Sequence, residues 1–443
     1  VTHAAREPRL SLRRLAGRIR AVPRPIALVD RVELLVLGAL AAVTFDFYLA
    51  VRHGFFDLQV YYGAINYWVH TGGSLYDYLS PSTTYGFTYP PFASLLMTPM
   101  ALTPWTAAIV VSCVACMATS AIVLYWLVDP IARREGWVRW FALATALCFA
   151  TIFEPLRETF LFGQVNMLLL FLVAADFVLL ISRGRRFAGV AIGIATAIKL
   201  TPGVFILYLL VTKRWRAAIV ASVTATVATV ASAAISPDTS LVFWSDALWN
   251  TDRVGALAFI SNQSLEGAVA RLSPNNPSNL LWAAAVLVVL AIWFVRVRRA
   301  NAAGDHMTAF ALTGVVGCLV SPVTWVHHLV WVGPAIVLLL DNALAARDPA
   351  RRRRLFRLTI FTYVLLCSRL VWYFPGNWGN PFVWFMSNSY VWISIALLVG
   401  LPIRAMSPAA PAPPAPEADE RAELDHHFTV PGRHRELAEL SND

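Results

Sequence analysis

Asp57, Lys199 and the pair His327-His328 are the residues whose chemistry stands out most against their apolar surroundings. Asp57 opens a polar, aromatic stretch a few residues beyond the first long apolar segment. A carboxylate there can serve as a general base, taking a proton from an attacking hydroxyl; the plainer reading is an interfacial group that ends the segment. Lys199 lies in Lys199-Leu200-Thr201-Pro202-Gly203, where Pro202 and Gly203 disfavour an unbroken helix. Its ammonium could neutralise an anionic leaving group, or extend to the membrane surface. His327 and His328 project about 100° apart on a helix, so at most one of them easily faces a given cavity, and interface packing is the plainer reading.

Further polar residues fall near these in sequence. Glu154 and Glu158 flank Arg157 as an i, i+4 pair, which reads as a self-paired turn or, at Glu158, as a substrate contact. Gln164 and Asn166 supply neutral donors and acceptors. Tyr61, Tyr62, Tyr89 and Trp325 could join an interfacial aromatic belt or stack on the C–H face of a sugar. Asn262 and Glu266 mark a later polar stretch.

The elements that must position these groups follow from composition. Of 443 residues, 58% are hydrophobic and 14% charged, and apolar runs long enough to cross a bilayer recur along the chain. Backbone groups in lipid must pair within the segment, so the runs are expected to be helices. The fold class is an all-α polytopic membrane protein with about 10–12 transmembrane helices. The net charge of +10 is scattered over short loops, which suits a topology signal and argues against nucleic acid as a partner. Five cysteines all sit in apolar runs; Cys113 and Cys116 form a CxxC with no second pair, and read as packing residues. Asp46 and Asp77 lie too far from Asp57 in sequence to argue an acidic pair, so neither a metal nor another cofactor is expected.

Residues 1–32 form a basic leader that the positive-inside rule keeps in the cytoplasm. Ala39-Leu40-Ala41 could pass for a cleavage site, but the apolar run continues past it, favouring an uncleaved first span. Residues 33–403 form the membrane domain, with outer loops at about 53–91, 154–164, 237–278 and 374–390. The run at about 187–211 reads as two short helices meeting at Lys199, which returns Lys213, Arg214 and Arg216 to the cytoplasm. Residues 404–443, rich in proline and alanine and then charged, are expected to form a disordered cytoplasmic tail. This topology gathers Asp57, Glu158, Gln164, Asn166, Lys199, Asn262 and the histidines on the outer face. Ionisable groups near membrane depth mark sites or wet cavities, and one shared face suggests one chamber. A lipid or solute transporter is the rival class, but no inverted repeat of the Asp57 loop is visible.

Five motifs carry a resemblance: Asp57-Leu58-Gln59-Val60-Tyr61, Tyr89-Pro90-Pro91-Phe92, Gly163-Gln164-Val165-Asn166, Lys199-Leu200-Thr201-Pro202 and Ser321-Pro322-Val323-Thr324-Trp325-Val326-His327-His328. In this order, across about residues 33–403, they resemble glycosyltransferase family 87. These are actinobacterial polyprenol-phosphate-mannose-dependent mannosyltransferases of the membrane-embedded GT-C type. The resemblance implies a donor with mannose β-linked to a polyprenyl monophosphate, its lipid held among the spans within the membrane lipid, and a glycolipid acceptor in the outer leaflet. It implies an inverted, α-linked product and a multi-pass enzyme of the plasma membrane. The family's catalytic aspartate corresponds to Asp57 and its functional histidine to His327 or His328. The pattern suits α-(1→2)-mannosyltransferases that extend phosphatidylinositol mannosides, and equally those that branch the mannan of lipomannan and lipoarabinomannan. A phosphate leaving group is stable as an anion, so Lys199 with a histidine would suffice beside it and no metal is required.

Overall fold

The computed structural model describes residues 27–49, 53–81 and 83–404. Most of the basic leader and nearly all of the expected tail lie outside the described residues. Among the described residues the chain is helical, with one isolated antiparallel bridge, Leu79 to Gly86, and no sheet. Helices of eight residues or more are α1 (Leu28–Leu49), α2 (Phe56–Thr71), α3 (Trp105–Arg134), α4 (Arg139–Ile152), α5 (Glu154–Phe162), α6 (Asn166–Ala175) and α7 (Val190–Ile198). They continue as α8 (Val204–Val211), α9 (Trp215–Ile235), α10 (Asn279–Ala302), α11 (His306–Val320), α12 (Gly333–Ala345), α13 (Pro349–Cys367) and α14 (Ser389–Gly400).

Four helical stretches are long and apolar enough to cross a bilayer: α3, α9, α10 and Val326–Ala345, which leads into α12 through a 3-10 turn. Two bent pairs, α4 with α5 and Pro381–Ser387 with α14, raise the number to six. Further apolar helices, Pro91–Leu102, Asn166–Ile181, Thr201–Val211 and His306–Val320, are shorter, at 10–17 residues. The polytopic all-α class therefore stands, with many helices interrupted near their ends.

Helix α11 is the centre of the packing. Every residue from Thr308 to Leu319 is buried, which is why its sequence is apolar all round instead of striped. It packs against α8, α10, α12, α14 and the 3-10 turn at Val326–Val332. Trp293 on α10, also buried, donates its indole N–H to Thr313 Oγ1 at 3.1 Å.

Two stretches expected to be loops contain helices. The 53–91 loop is built on α2, whose Leu58, Tyr61, Ile65 and Val60, Ala64 recur at helical spacing and are buried. Its polar and aromatic content hides that period from a search for long apolar runs. The 154–164 loop is α5, which bends 73° away from α4. Pro155 in its first turn suits a helix start and ends the preceding one. Glu154, fully buried, accepts from Trp372 Nε1 at 2.7 Å and from the Tyr390 hydroxyl, anchoring this bend to the C-terminal helices.

A buried carboxylate fixes the next break. Asp176 begins a π-helical segment after α6 and accepts the backbone N–H groups of Gly189 at 2.8 and 3.0 Å and of Ile192 at 3.0 Å. These are unpaired donors at the start of α7, so Asp176 caps that helix from a distance. Asp176→Ala should cost on the order of 3 kcal/mol, because it strands buried donors. The detergent-solubilised variant should unfold at a clearly lower temperature by intrinsic fluorescence; an unchanged midpoint would refute the capping role.

Candidate active site

Backbone turns bring the motif residues together. Gly54 and Phe55 precede α2 with left-handed backbones, φ 60 and 58, and the Phe55 N–H donates to Leu161 O at 3.0 Å. This swings the first turn of α2, which carries Asp57, against the end of α5. There Gly163 ends the helix with φ 70, and a Cβ on it would lie 2.6 Å from Leu58 Cβ. Only glycine permits that approach, and the approach sets Gln164 beside Asp57. Lys199 sits at the expected break, extended at φ −150 and ψ 132, between α7 and the Thr201–Gly203 turn. The break falls where Pro202 and Gly203 predict it.

A continuous hydrogen-bonded chain results. Gln164 Nε2 donates to Asp57 Oδ2 at 2.6 Å, and Gln164 Oε1 accepts from the Tyr89 hydroxyl at 2.9 Å. An ionised carboxylate only accepts, which fixes the orientation of the amide. The Tyr89 proton is thereby committed, so Tyr61 OH, at 3.0 Å, and Lys199 Nζ, at 3.2 Å, donate to its oxygen. Lys199 also reaches Asn166 Oδ1 at 3.4 Å and His328 Nε2 at 3.0 Å. Asn166 Nδ2 and Thr159 Oγ1 donate to the His327 carbonyl at 3.2 and 2.9 Å, tying α5 and α6 to the histidine turn.

His328 resolves which ring meets the lysine. Its Nδ1 lies 3.1 Å from the Trp325 N, which turns the ring so that Nε2 faces Lys199. His327 is buried with its Nε2 unpaired, and its ring lies 5.2 Å from that of Phe162.

Burial raises the Asp57 carboxyl to about 6, against the Gln164 hydrogen bond and the positive charges of Lys199 and His53, which lower it. Helix α2 is not among the candidate membrane spans. A carboxylate with that acidity is ionised at neutral pH yet basic enough to accept a proton in a transition state.

The remaining predicted residues are placed apart from this chain. Tyr62 donates to Thr103 O at 2.8 Å and packs edge-on against Trp105. Asn262 is fully buried and spent on backbone: its Nδ2 donates to Leu257 O and Pro322 O, and its Oδ1 accepts from Thr324 N. It thus shapes the Ser321–Trp325 turn. Trp325 is partly exposed there, edge-on to Phe259. Glu158 is buried and its Oε2 lies 2.7 Å from His53 Nε2. It does not pair with Arg157, which instead meets Asp46 at 3.2 Å. Sequence reasoning passed over His53, although an ionisable group four residues before Asp57 was available as a signal. It also passed over Arg271, buried among the carbonyls of Phe259 and Asn262 and the Asn388 side chain. Among the described residues, no three His, Cys, Asp or Glu side chains come together as a metal site.

Comparison with known proteins finds relatives over most of the chain. A Mycobacterium tuberculosis protein named polyprenol-phosphate-mannose-dependent alpha-(1-2)-phosphatidylinositol mannoside mannosyltransferase is 32% identical over 373 residues, covering 80% of this chain and 86% of its own. Its Mycolicibacterium smegmatis namesake is 32% identical over 337 residues, covering 71% and 74%. A second M. smegmatis protein, named for a phosphatidylinositol pentamannoside acceptor, is 33% identical over 333 residues, covering 72% and 77%. No solved structure matches. The sequence profile of glycosyltransferase family 87 matches residues 87–322, which include the Tyr89, Gln164, Asn166 and Lys199 motifs. A polytopic helical fold would suit a transporter as well, but these relatives decide for an enzyme: the chain belongs to glycosyltransferase family 87.

Proposed function

We propose that this protein moves mannose from a polyprenyl-phosphate-mannose donor to a phosphatidylinositol mannoside in the outer leaflet, forming an α-(1→2) linkage with inversion. The observation that carries the reading is the chain from Asp57 through Gln164 and Tyr89 to Lys199 and His328. It sets a base at one end and concentrated donors at the other, as a single displacement needs. The acceptor hydroxyl loses its proton to Asp57 while its oxygen bonds to the anomeric carbon. The bond from that carbon to the phosphate oxygen breaks, and its electron pair leaves on the lipid phosphate. Lys199 and His328 stabilise this anion as it forms. The Tyr61 ring borders the same cluster and Trp325 adjoins the histidine turn, where each can contact sugar. Asn166 holds the Lys199 ammonium in place.

The test is purified protein with radiolabelled polyprenyl-phosphate-mannose and a panel of phosphatidylinositol mannosides, with and without chelator. A single α-(1→2)-linked mannose should appear on one acceptor class, with chelator changing the rate less than about twofold. Products of another linkage, or none from this donor, would reject the reading. Loss of activity with chelator would reject its metal-independent chemistry.

A further inference from the structure

Beside the proposed base lies an ionisable pair that the displacement itself does not use. The ring of His53 lies on that of Phe162, with centroids 3.9 Å apart and planes 17° from parallel. His53 Nε2 lies 2.7 Å from Glu158 Oε2, and the His53 side chain keeps 18% of its surface exposed. Glu158 is almost wholly buried; neither its second oxygen, Oε1, nor His53 Nε2 has an aligned hydrogen-bond partner, so the 2.7 Å contact joins the two as an ion pair by proximity. A carboxylate in that position needs a cation or a proton beside it, and His53 is the ionisable group the fold supplies.

The connection to Asp57 runs through strained backbone. Phe55, a non-glycine residue, holds φ 58 directly after Gly54 at φ 60. A left-handed bulky residue is costly and persists only where its surroundings hold it. The holding contacts are Phe55 N–H to Leu161 O at 3.0 Å and Gln59 Nε2 to Gly54 O at 2.7 Å, together with the stacked, paired His53 at the other end of the turn. Leu161, Phe162 and Glu158 all belong to α5, so one helix grips both the turn and the ring that precedes it.

We propose that His53, held by Glu158 and Phe162, is a positioning residue for Asp57. It clamps the Gly54-Phe55 turn that aims the carboxylate, and it sets a positive charge near it. This rests on the reading of Asp57 as base. The other ionisable groups facing this region are Glu158 from α5, Lys199 from the α7 break, the Tyr61 and Tyr89 hydroxyls, and His327 and His328. Of these, Lys199 is the other source of positive charge on Asp57.

The experiment uses the full-length protein in nanodiscs and the pH dependence of kcat/KM for acceptor. His53→Gln should lower the plateau about tenfold and move the acid limb to higher pH by about half a unit, because a nearby positive charge has gone. Glu158→Gln should lower the plateau by less, since it removes one of the groups that hold the ring but leaves it stacked on Phe162. The double variant should be no worse than His53→Gln, because the two residues act as a unit. A lower plateau with an unmoved acid limb would overturn the electrostatic role, and additive losses in the double variant would overturn the pairing. Should His53→Gln fail to fold, Glu158→Gln alone carries the test: an unchanged plateau in that variant would overturn the clamp. Failure of the base reading is separately visible: Asp57→Asn would then retain transfer whatever His53 does.

Discussion

Asp57→Asn should reduce mannose transfer by about 10²–10⁴-fold, the range that a positioned general base contributes. The variant isolates chemistry from structure unusually well. Asparagine has the same size, and its Oδ1 can still accept the Gln164 amide that Asp57 Oδ2 accepts at 2.6 Å. What it cannot do is carry away the acceptor's proton. Expression, membrane insertion and donor affinity should therefore stay near wild type while the transfer step fails. Asp57→Glu should recover part of the loss, since it keeps the base and only misplaces it. Near-normal transfer by Asp57→Asn, measured with radiolabelled donor, would remove the base assignment.

Lys199→Ala should be nearly as damaging, by about 10²–10³-fold, the scale seen when one donor to a developing anion is removed. Its ammonium joins Tyr89, Asn166 and His328. Losing it removes the cation at the phosphate end and loosens the link to Gln164. The effect should fall on the donor: saturation curves should show the loss in kcat/KM for polyprenyl-phosphate-mannose, with the acceptor KM within about twofold. Lys199→Arg keeps charge but replaces a compact ammonium with a planar fork, so only partial recovery is expected. An unchanged dependence on donor concentration would count against the phosphate role.

Much of this site was legible in the residues. Lys199 before Thr-Pro-Gly marks a broken helix, and the break is where the side chain enters the cluster. Asp57, Gln164, Asn166, Tyr89 and His328 stood out because ionisable and amide groups are costly near membrane depth. The connections among them were not legible, since they span separations such as 107 residues between Asp57 and Gln164 and 129 between Lys199 and His328. Nor could sequence say which histidine meets the lysine. That is decided by the Trp325 N–H, which turns the His328 ring. Asn262 illustrates the converse: a conspicuous amide in a polar loop is consumed by backbone, because a buried turn must satisfy its own carbonyls. Helices α2 and α5 escaped notice because their apolar residues are interleaved with tyrosine, glutamine and glutamate. His53 escaped because its significance lies in Glu158, which lies 105 residues further along the chain but 2.7 Å away in space.

The claim on which the rest depends is that Asp57 is the base, and its ionisation is the most direct handle on it. The measurement is kcat/KM for acceptor from pH 4.5 to 8, which reports ionisation in the free enzyme. With the carboxyl raised to about 6, activity should climb tenfold per pH unit at the acid end, bend near pH 6 and level off above it. A profile that stays flat through that interval in protein shown to remain folded would contradict the account.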